Sequence, residues 1–258
     1  MVVGGAALTA LVGDWFWAFT RIGAMLMTAP VFGARGLVPV RSRLALALAL
    51  SAVLAPLLPP GPALAPFSDA GLLLVAQQLA VGVAMGLILQ LALAALALAG
   101  QLIAMTMGLG FAQFIDPEGE ATVVIGSFYG LLGTLLFLAL DGHQAVIELL
   151  FDSFRTLPVG VVPQGLDGVA AVAAWGARMF AGALLVALPA VLALTLVNLA
   201  FGVMSRAAPQ LNIFGVLFPA TMLAGFAAIG LSLPALPAQF GALLRESVRL
   251  AAALVGGG

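Results

Sequence analysis

QLIAMTMGLGFAQFIDPEGEATVVIGSFYGLLGTLLFLALDGHQAVIELLFDSFRTLPVG, residues Gln101 to Gly160, is the stretch whose reading decides the fold. It is entered from a run, Ala70 to Ile115, that holds no charged residue. Within it lies a Met- and Phe-rich segment, Met105 to Phe114, punctuated by Gly108 and Gly110. Three carboxylates then arrive together, Asp116, Glu118 and Glu120, broken by Pro117 and Gly119. Proline ends a helix and pushes the residue before it out of the helical region. The pattern therefore predicts a helix that stops here, a loop, and a new apolar helix from about Ala121.

The composition agrees with a membrane setting. Hydrophobic residues make up 64% of the 258 residues and charged residues 7%, where soluble domains run at about 45–50% and about 25%. The chain reads as an all-α integral membrane protein, one membrane-embedded domain over residues 1–258. A net charge of −1 with no basic stripe argues against nucleic acid. All nine cations are Arg, there is no Cys, and there is a single His. Disulfides, thiolate metal sites and histidine clusters are thereby excluded, and no cofactor is expected. The apolar N-terminus lacks a basic n-region, so no cleaved signal peptide is expected.

Six apolar helices or so are expected. The first, about Ala6 to Thr28, carries Asp14 and Arg21 seven positions apart and so on one face. That face reads as turned toward neighbouring helices, and Trp15, Phe16 and Trp17 as an interfacial belt. Pro30, Gly33, Gly36 and Pro39 make a tight loop beside Arg35, Arg41 and Arg43. By the positive-inside rule this loop is cytoplasmic and the N-terminus lies outside. A second helix, about Arg41 to Leu54, ends in a proline-rich turn from Pro56 to Pro66 too stiff to be helical.

The third apolar segment, Ala70 to Met107, is 38 residues, about 57 Å as one helix against a hydrocarbon core of about 30 Å. It must tilt, kink, double back or project beyond the lipid. Gly82 with Gly86, and Gly126 with Gly130, are GxxxG pairs and predict close helix packing. A fourth helix, about Ala121 to Leu140, ends at Asp141-Gly142-His143. An amphipathic stretch, Ala145 to Phe154, follows with Glu148 and Asp152 at i,i+4. Pro158 to Gly168 reads as a loop. A fifth helix, about Val169 to Phe201, should kink at Pro189, with a polar turn from Gly202 to Asn212 containing Arg206 and Pro209. The sixth, Ile213 to Leu231, contains Pro219. An amphipathic tail from Ala235 to Val255 carries Arg245, Glu246 and Arg249.

Two groups of residues invite a chemical reading. Asp141, His143 and Glu148 are the one arrangement resembling a proton relay, as in a secondary transporter or proton channel. At a helix end the plainer reading has Asp141 and His143 satisfying backbone groups. Met105 to Phe114 reads either as a buried, glycine-loosened helix end or as a pore plug. Flexible Met107 and Met105 with bulky Phe111 and Phe114 would fill a constriction, and glycines would allow a loop. No nucleophile elbow, phosphate loop or paired-carboxylate site is present, so a membrane lipid enzyme has little support.

Three blocks in order carry a resemblance. MGLGFAQFIDP, FLALDGH and SFRTLPVG lie in the central stretch. RIGAMLMTAPVFGARGLVPVRSRLALALAL (Arg21 to Leu50) precedes them and NLAFGVMSRAAPQLNIFGVLFPATMLAGF (Asn198 to Phe226) follows. Together the chain resembles the FliR family of flagellar biosynthesis proteins, shared with virulence type III secretion. The motif positions that match are Arg21, Pro30, Arg35, Pro39, Arg43, Asp116, Pro117, Asp141, Gly142, His143, Pro158, Asn198, Arg206 and Pro209. The resemblance implies a non-enzymatic core subunit of a flagellar-type export gate in the bacterial inner membrane, at the flagellar basal body. Implied partners are FliP and FliQ subunits, an FlhB-type switch protein, other export components and unfolded substrates. It also implies that Met105, Met107, Gly108, Gly110, Phe111 and Phe114 belong to a loop that helps to close the channel. The chain departs from the family pattern at Ala104 and Thr106, where a polar or acidic residue often stands.

Overall fold

The computed structural model describes residues 5–30, 38–62, 64–109, 124–161, 167–207 and 213–256. Among them are eight α-helices and no strand: α1 (Gly5–Thr28), α2 (Val40–Leu54), α3 (Asp69–Thr106), α4 (Val124–Ala139), α5 (Gly142–Thr156), α6 (Asp167–Ala207), α7 (Ile213–Ser232) and α8 (Leu236–Gly256). Short 3₁₀ turns follow α2 at Ala55–Leu57 and α7 at Leu233–Ala235. Four helical stretches are long and apolar enough to cross a membrane: Val40–Leu57, Asp69–Thr106, Ala170–Ala207 and Gly215–Gly256. A fifth span results if α4 and α5 count as one broken crossing. The expectation of about six apolar helices is thus met approximately.

The long apolar segment does not double back: α3 is one helix of 38 residues, Asp69–Thr106. Both ends of α3 lie within one residue of the expected Ala70 to Met107, while one boundary moves: α6 continues through Pro189 and on to Ala207. The stretch 202–207, expected as a turn, is helical because nothing before Pro209 removes a backbone donor.

The packing gathers into two compact units. One holds residues 1–91, 141–176 and 244–258; the other holds 92–140 and 177–243. In the first unit α1 lies against α2 and α3. A Cβ at Gly82 would stand 2.5 Å from the Arg21 carbonyl oxygen and 2.8 Å from Ala24 Cβ, and one at Gly86 would run into the Thr28 hydroxyl. The GxxxG face of α3 is therefore the seat of α1, with backbone approaching backbone. Asp14 and the proline-rich turn meet here too, because the Gly61 N–H donates to Asp14 Oδ1 at 2.7 Å. Trp17 is buried at 1% exposure in this packing, so it is core and not belt. Trp175 donates its indole N–H to the Ile88 carbonyl at 2.9 Å.

In the second unit the same device joins α3 and α4. A Cβ at Gly100 would stand 2.7 Å from the Ile125 carbonyl oxygen, one at Gly126 2.8 Å from Gln101 Cγ, and one at Gly133 2.8 Å from Leu96 Cδ1. Gly130 is looser, with Ala97 Cβ at 3.8 Å. Large apolar side chains on α6 and α7 are left outward, among them Phe180, Leu185, Leu196 and Leu223.

The close approach yields a contrast to test. Gly82→Ala should lower the stability of the purified protein by about 1–3 kcal/mol, the usual cost of overpacking. Gly23→Ala, whose added methyl meets nothing within 4 Å, should be neutral or slightly stabilising because alanine favours the helix. Thermal midpoints in detergent measure both, and equal midpoints would refute the packing described.

Candidate functional site

Among the described residues of the first unit Arg21 is the most buried charge, at 0% exposure. Its Nε–H donates to Gln78 Oε1 at 2.7 Å. One terminal nitrogen donates to the Ser153 carbonyl at 2.8 Å, with the Ser153 hydroxyl at 3.3 Å, and the other to the Leu157 carbonyl at 2.9 Å. The guanidinium also lies over the Phe154 ring, 4.2 Å from its centroid. No carboxylate takes part in these contacts. A buried cation without a counter-ion costs several kcal/mol. Here the negative end of α5 supplies the compensation: the Ser153 carbonyl, which also accepts the Leu157 N–H, and the Leu157 carbonyl both lie at a helix C-terminus. The planar fork suits this task where a point charge would not.

The expected polar face of α1 is thus turned inward. Gln78 and Ser153, which complete the node, were not singled out in the sequence. The available signal was a glutamine pair in a run without charge, Gln77 and Gln78; Gln77 donates its amide to the Val161 carbonyl. The basic loop is described only in part. Arg43 is buried and its Nε–H donates to the Val38 carbonyl at 3.0 Å. Pro39 is the residue preceding α2, with ψ 144°. Pro30 is buried at the end of α1's turn and Pro158 half-buried after α5, while Arg35 lies outside the described residues.

At the break between α4 and α5, Asp141 takes a left-handed conformation, φ 56° and ψ 26°. Its side chain caps no backbone group of α5; Oδ1 accepts only from Gln144 Nε2, at 3.3 Å. Its backbone carbonyl accepts from the Gln144 and Ala145 N–H groups. Asp141 thus meets backbone groups of α5 through its carbonyl and not through its carboxylate. Gly142 behind it is buried. Asp141 and Glu148 are exposed, His143 keeps a buried Nδ1 without a partner, and no hydrogen bond joins the three. The relay geometry is not formed.

The second unit contains the end of α3. Gly108 has φ 84°. The Leu109 N–H donates to the Ala104 carbonyl at 3.0 Å and the Gly108 N–H to the Met105 carbonyl at 3.1 Å. This is a Schellman motif, for which a left-handed glycine is the usual closing residue. Two carbonyls beyond it are met from elsewhere. Asn198 Nδ2 on α6 donates to the Thr106 carbonyl at 3.2 Å. The Thr221 hydroxyl on α7 reaches the Met107 carbonyl at 3.3 Å, sharing its proton with the Phe218 carbonyl at 3.0 Å. Met107 itself is fully buried, seated where Gly225 lacks a side chain: a Cβ there would lie 2.6 Å from Met107 Cγ, Sδ and Cε. Met105 is 57% exposed. Gly110, Phe111, Phe114, Asp116, Pro117 and Pro209 lie outside the described residues. Arg206 is exposed in the last turn of α6. No group of three or more His, Cys, Asp and Glu side chains placed to hold a metal occurs among the described residues.

Long apolar helices whose ends are capped by side chains of other helices define a multi-span α-helical membrane protein. The chain belongs to the bacterial export proteins, family 1, whose pattern matches residues 12–247. It is similar to the flagellar biosynthetic protein FliR of Pectobacterium carotovorum subsp. carotovorum, 43% identical over 227 residues, covering 88% of this chain and 86% of the relative. It is 38% identical to FliR of Escherichia coli (strain K12) over 221 residues, 85% and 84% of the two chains. It is 32% identical to FliR of Bacillus subtilis (strain 168) over 212 residues, 81% of each. The chain is accordingly a component of a flagellar export apparatus.

Arg21→Met should destabilise the protein by about 3 kcal/mol or more, since it strands the Leu157 carbonyl and Gln78 at about 1–3 kcal/mol each. Arg21→Lys should recover only part, as one ammonium cannot span the same acceptors. Yield and thermal midpoint of the purified protein check this, and a fully stable Arg21→Met would remove the node's importance. At the α4–α5 break, Asp141→Gly should hold or raise stability by about 0.5–1 kcal/mol and Asp141→Ala should lower it, because only glycine is unstrained at that φ. His143→Ala should leave export substantially intact. Export assays on membranes with matched protein levels decide between this and a relay, which would lose activity in both Asp141 variants.

Proposed function

We propose that this flagellar export component is a core subunit of the export gate in the bacterial inner membrane, at the flagellar basal body. In this reading it sits among FliP and FliQ subunits with the FlhB-type switch protein alongside, and it helps to form and close the channel for unfolded substrates. One observation carries the reading. α3 is a single helix of 38 residues, about 57 Å long, in a membrane whose apolar core is about 30 Å. Its excess apolar length calls for cover by protein. Broken backbone at membrane depth is tolerated when buried in protein or lining a cavity, which suits a subunit of a larger assembly. The Arg35–Arg43 loop is proposed to face the cytoplasm and the Pro56–Asp69 turn the opposite side.

The closing element is proposed from the sequence to be the segment after α3, with Gly110, Phe111 and Phe114. Passage and gating, without covalent catalysis, are the proposed mechanism. Phe111→Ala and Phe114→Ala remove large side chains from a constriction, and packing of a buried Phe is worth ~3–5 kcal/mol. The expected result is a membrane leaky to small ions with the complex still assembled. Ion permeability in cells expressing the complex measures it. Tight membranes with fully assembled variants would remove the plug.

A further inference from the structure

Within the second unit, α6, α7 and the start of α8 enclose a cavity of about 530 Å³. Small residues face one another across it: Ala193 on α6, Ala224 and Ala228 on α7, and Ala235 in the 3₁₀ turn that follows. Their methyl groups are too short to close the gap. The leucines next to these walls in sequence, Leu185 and Leu223, are turned outward and do not fill it. Two lining residues have polar side chains, Ser232 and Gln239. The Ser232 hydroxyl already donates to the Ile229 carbonyl at 2.9 Å.

The walls and the volume narrow the occupant. A water needs several polar partners, and an apolar hole of about 150 Å³ stays dry yet takes in benzene; this one is more than three times that size. Left empty, it would destabilise the helices around it in proportion to its volume, because its lining loses packing contacts. One ring-sized side chain from a neighbouring helix would fill less than a third of it. At about 30 Å³ for each water-sized group, the volume matches roughly 17 methylenes, the size of one long acyl chain. The depth agrees. Pro189, which lines the cavity, stands at the middle of the 38-residue span Ala170–Ala207. A helix of that length, about 57 Å, keeps its middle inside a hydrocarbon core of about 30 Å even if all its surplus projects from one end. Acyl chain ends are the ambient apolar solute there.

We propose that this cavity is a lipid site, which takes one acyl chain of a bilayer phospholipid between α6, α7 and α8. The site is built by this chain alone and does not depend on the export-gate reading.

The test uses the assembled complex in a lipid nanodisc whose phosphatidylethanolamine carries a diazirine near the end of one acyl chain. After illumination, mass spectrometry of the digested chain locates the label. Ala193 should be labelled, and Ala224→Leu with Ala228→Leu, which fills the cavity from the opposite wall, should lower that labelling severalfold. Labelling at Phe180, outward on the same helix at 61% exposure, should not change. If the leucine pair prevents assembly, Ala224→Val alone should give a smaller fall. No label at Ala193, or a label that filling does not move, overturns the proposal. So does a benzophenone side chain at position 224 that captures another protein subunit, since that would make the occupant a partner's side chains.

Discussion

A guanidinium with no carboxylate partner sits at 0% exposure between α1, α3 and α5. Such a charge is stable in an apolar interior only where every donor is aimed at fixed acceptors. The acceptors are Gln78 Oε1 and two backbone carbonyls at the end of α5, of which that of Leu157 is free for the guanidinium because α5 stops at Thr156. The donor arrives only if α1 approaches α3 closely enough, which is the work of Gly82 and Gly86. Helix length, helix contact and the buried charge are therefore one condition stated three ways. Loss of any of them leaves the others unsatisfied.

The second unit solves the same problem with neutral groups. Where α3 ends, glycine closes two carbonyls and Asn198 and Thr221 meet two more. In water, solvent would serve both helix ends at little cost. In an apolar medium a stray carbonyl costs several kcal/mol, so the capping side chains must come from sequence-distant helices.

Much of the fold was legible in the residues. Charge-free runs and prolines located the helices, and the GxxxG pairs marked contact faces. The helix ends were harder. The end of α3 near Met107 was expected from the apolar run, and the reason lies in Gly108: a left-handed glycine, with the next N–H bonded back to Ala104, stops a helix without any proline. Arg21 was visible as a polar point on α1, while its partners Gln78 and Ser153 were not, since their pairing spans up to 132 positions of sequence. Asp141 was read by its carboxylate when its backbone angle is what the site uses. Met105 and Met107 read as one motif, and only the notch at Gly225 separates them.

The length of α3 has a consequence for the chain before it finds its partners. Nearly half of a helix about 57 Å long has no matching hydrocarbon in a core of about 30 Å, and each ångström of mismatch costs a fraction of a kcal/mol. An orphan copy must tilt steeply or leave apolar turns in the headgroup region, where proteases and chaperones work. In the proposed assembly, neighbouring subunits would cover the surplus and remove that penalty. The surplus length would then act as a marker of incompleteness, carried by the subunit itself.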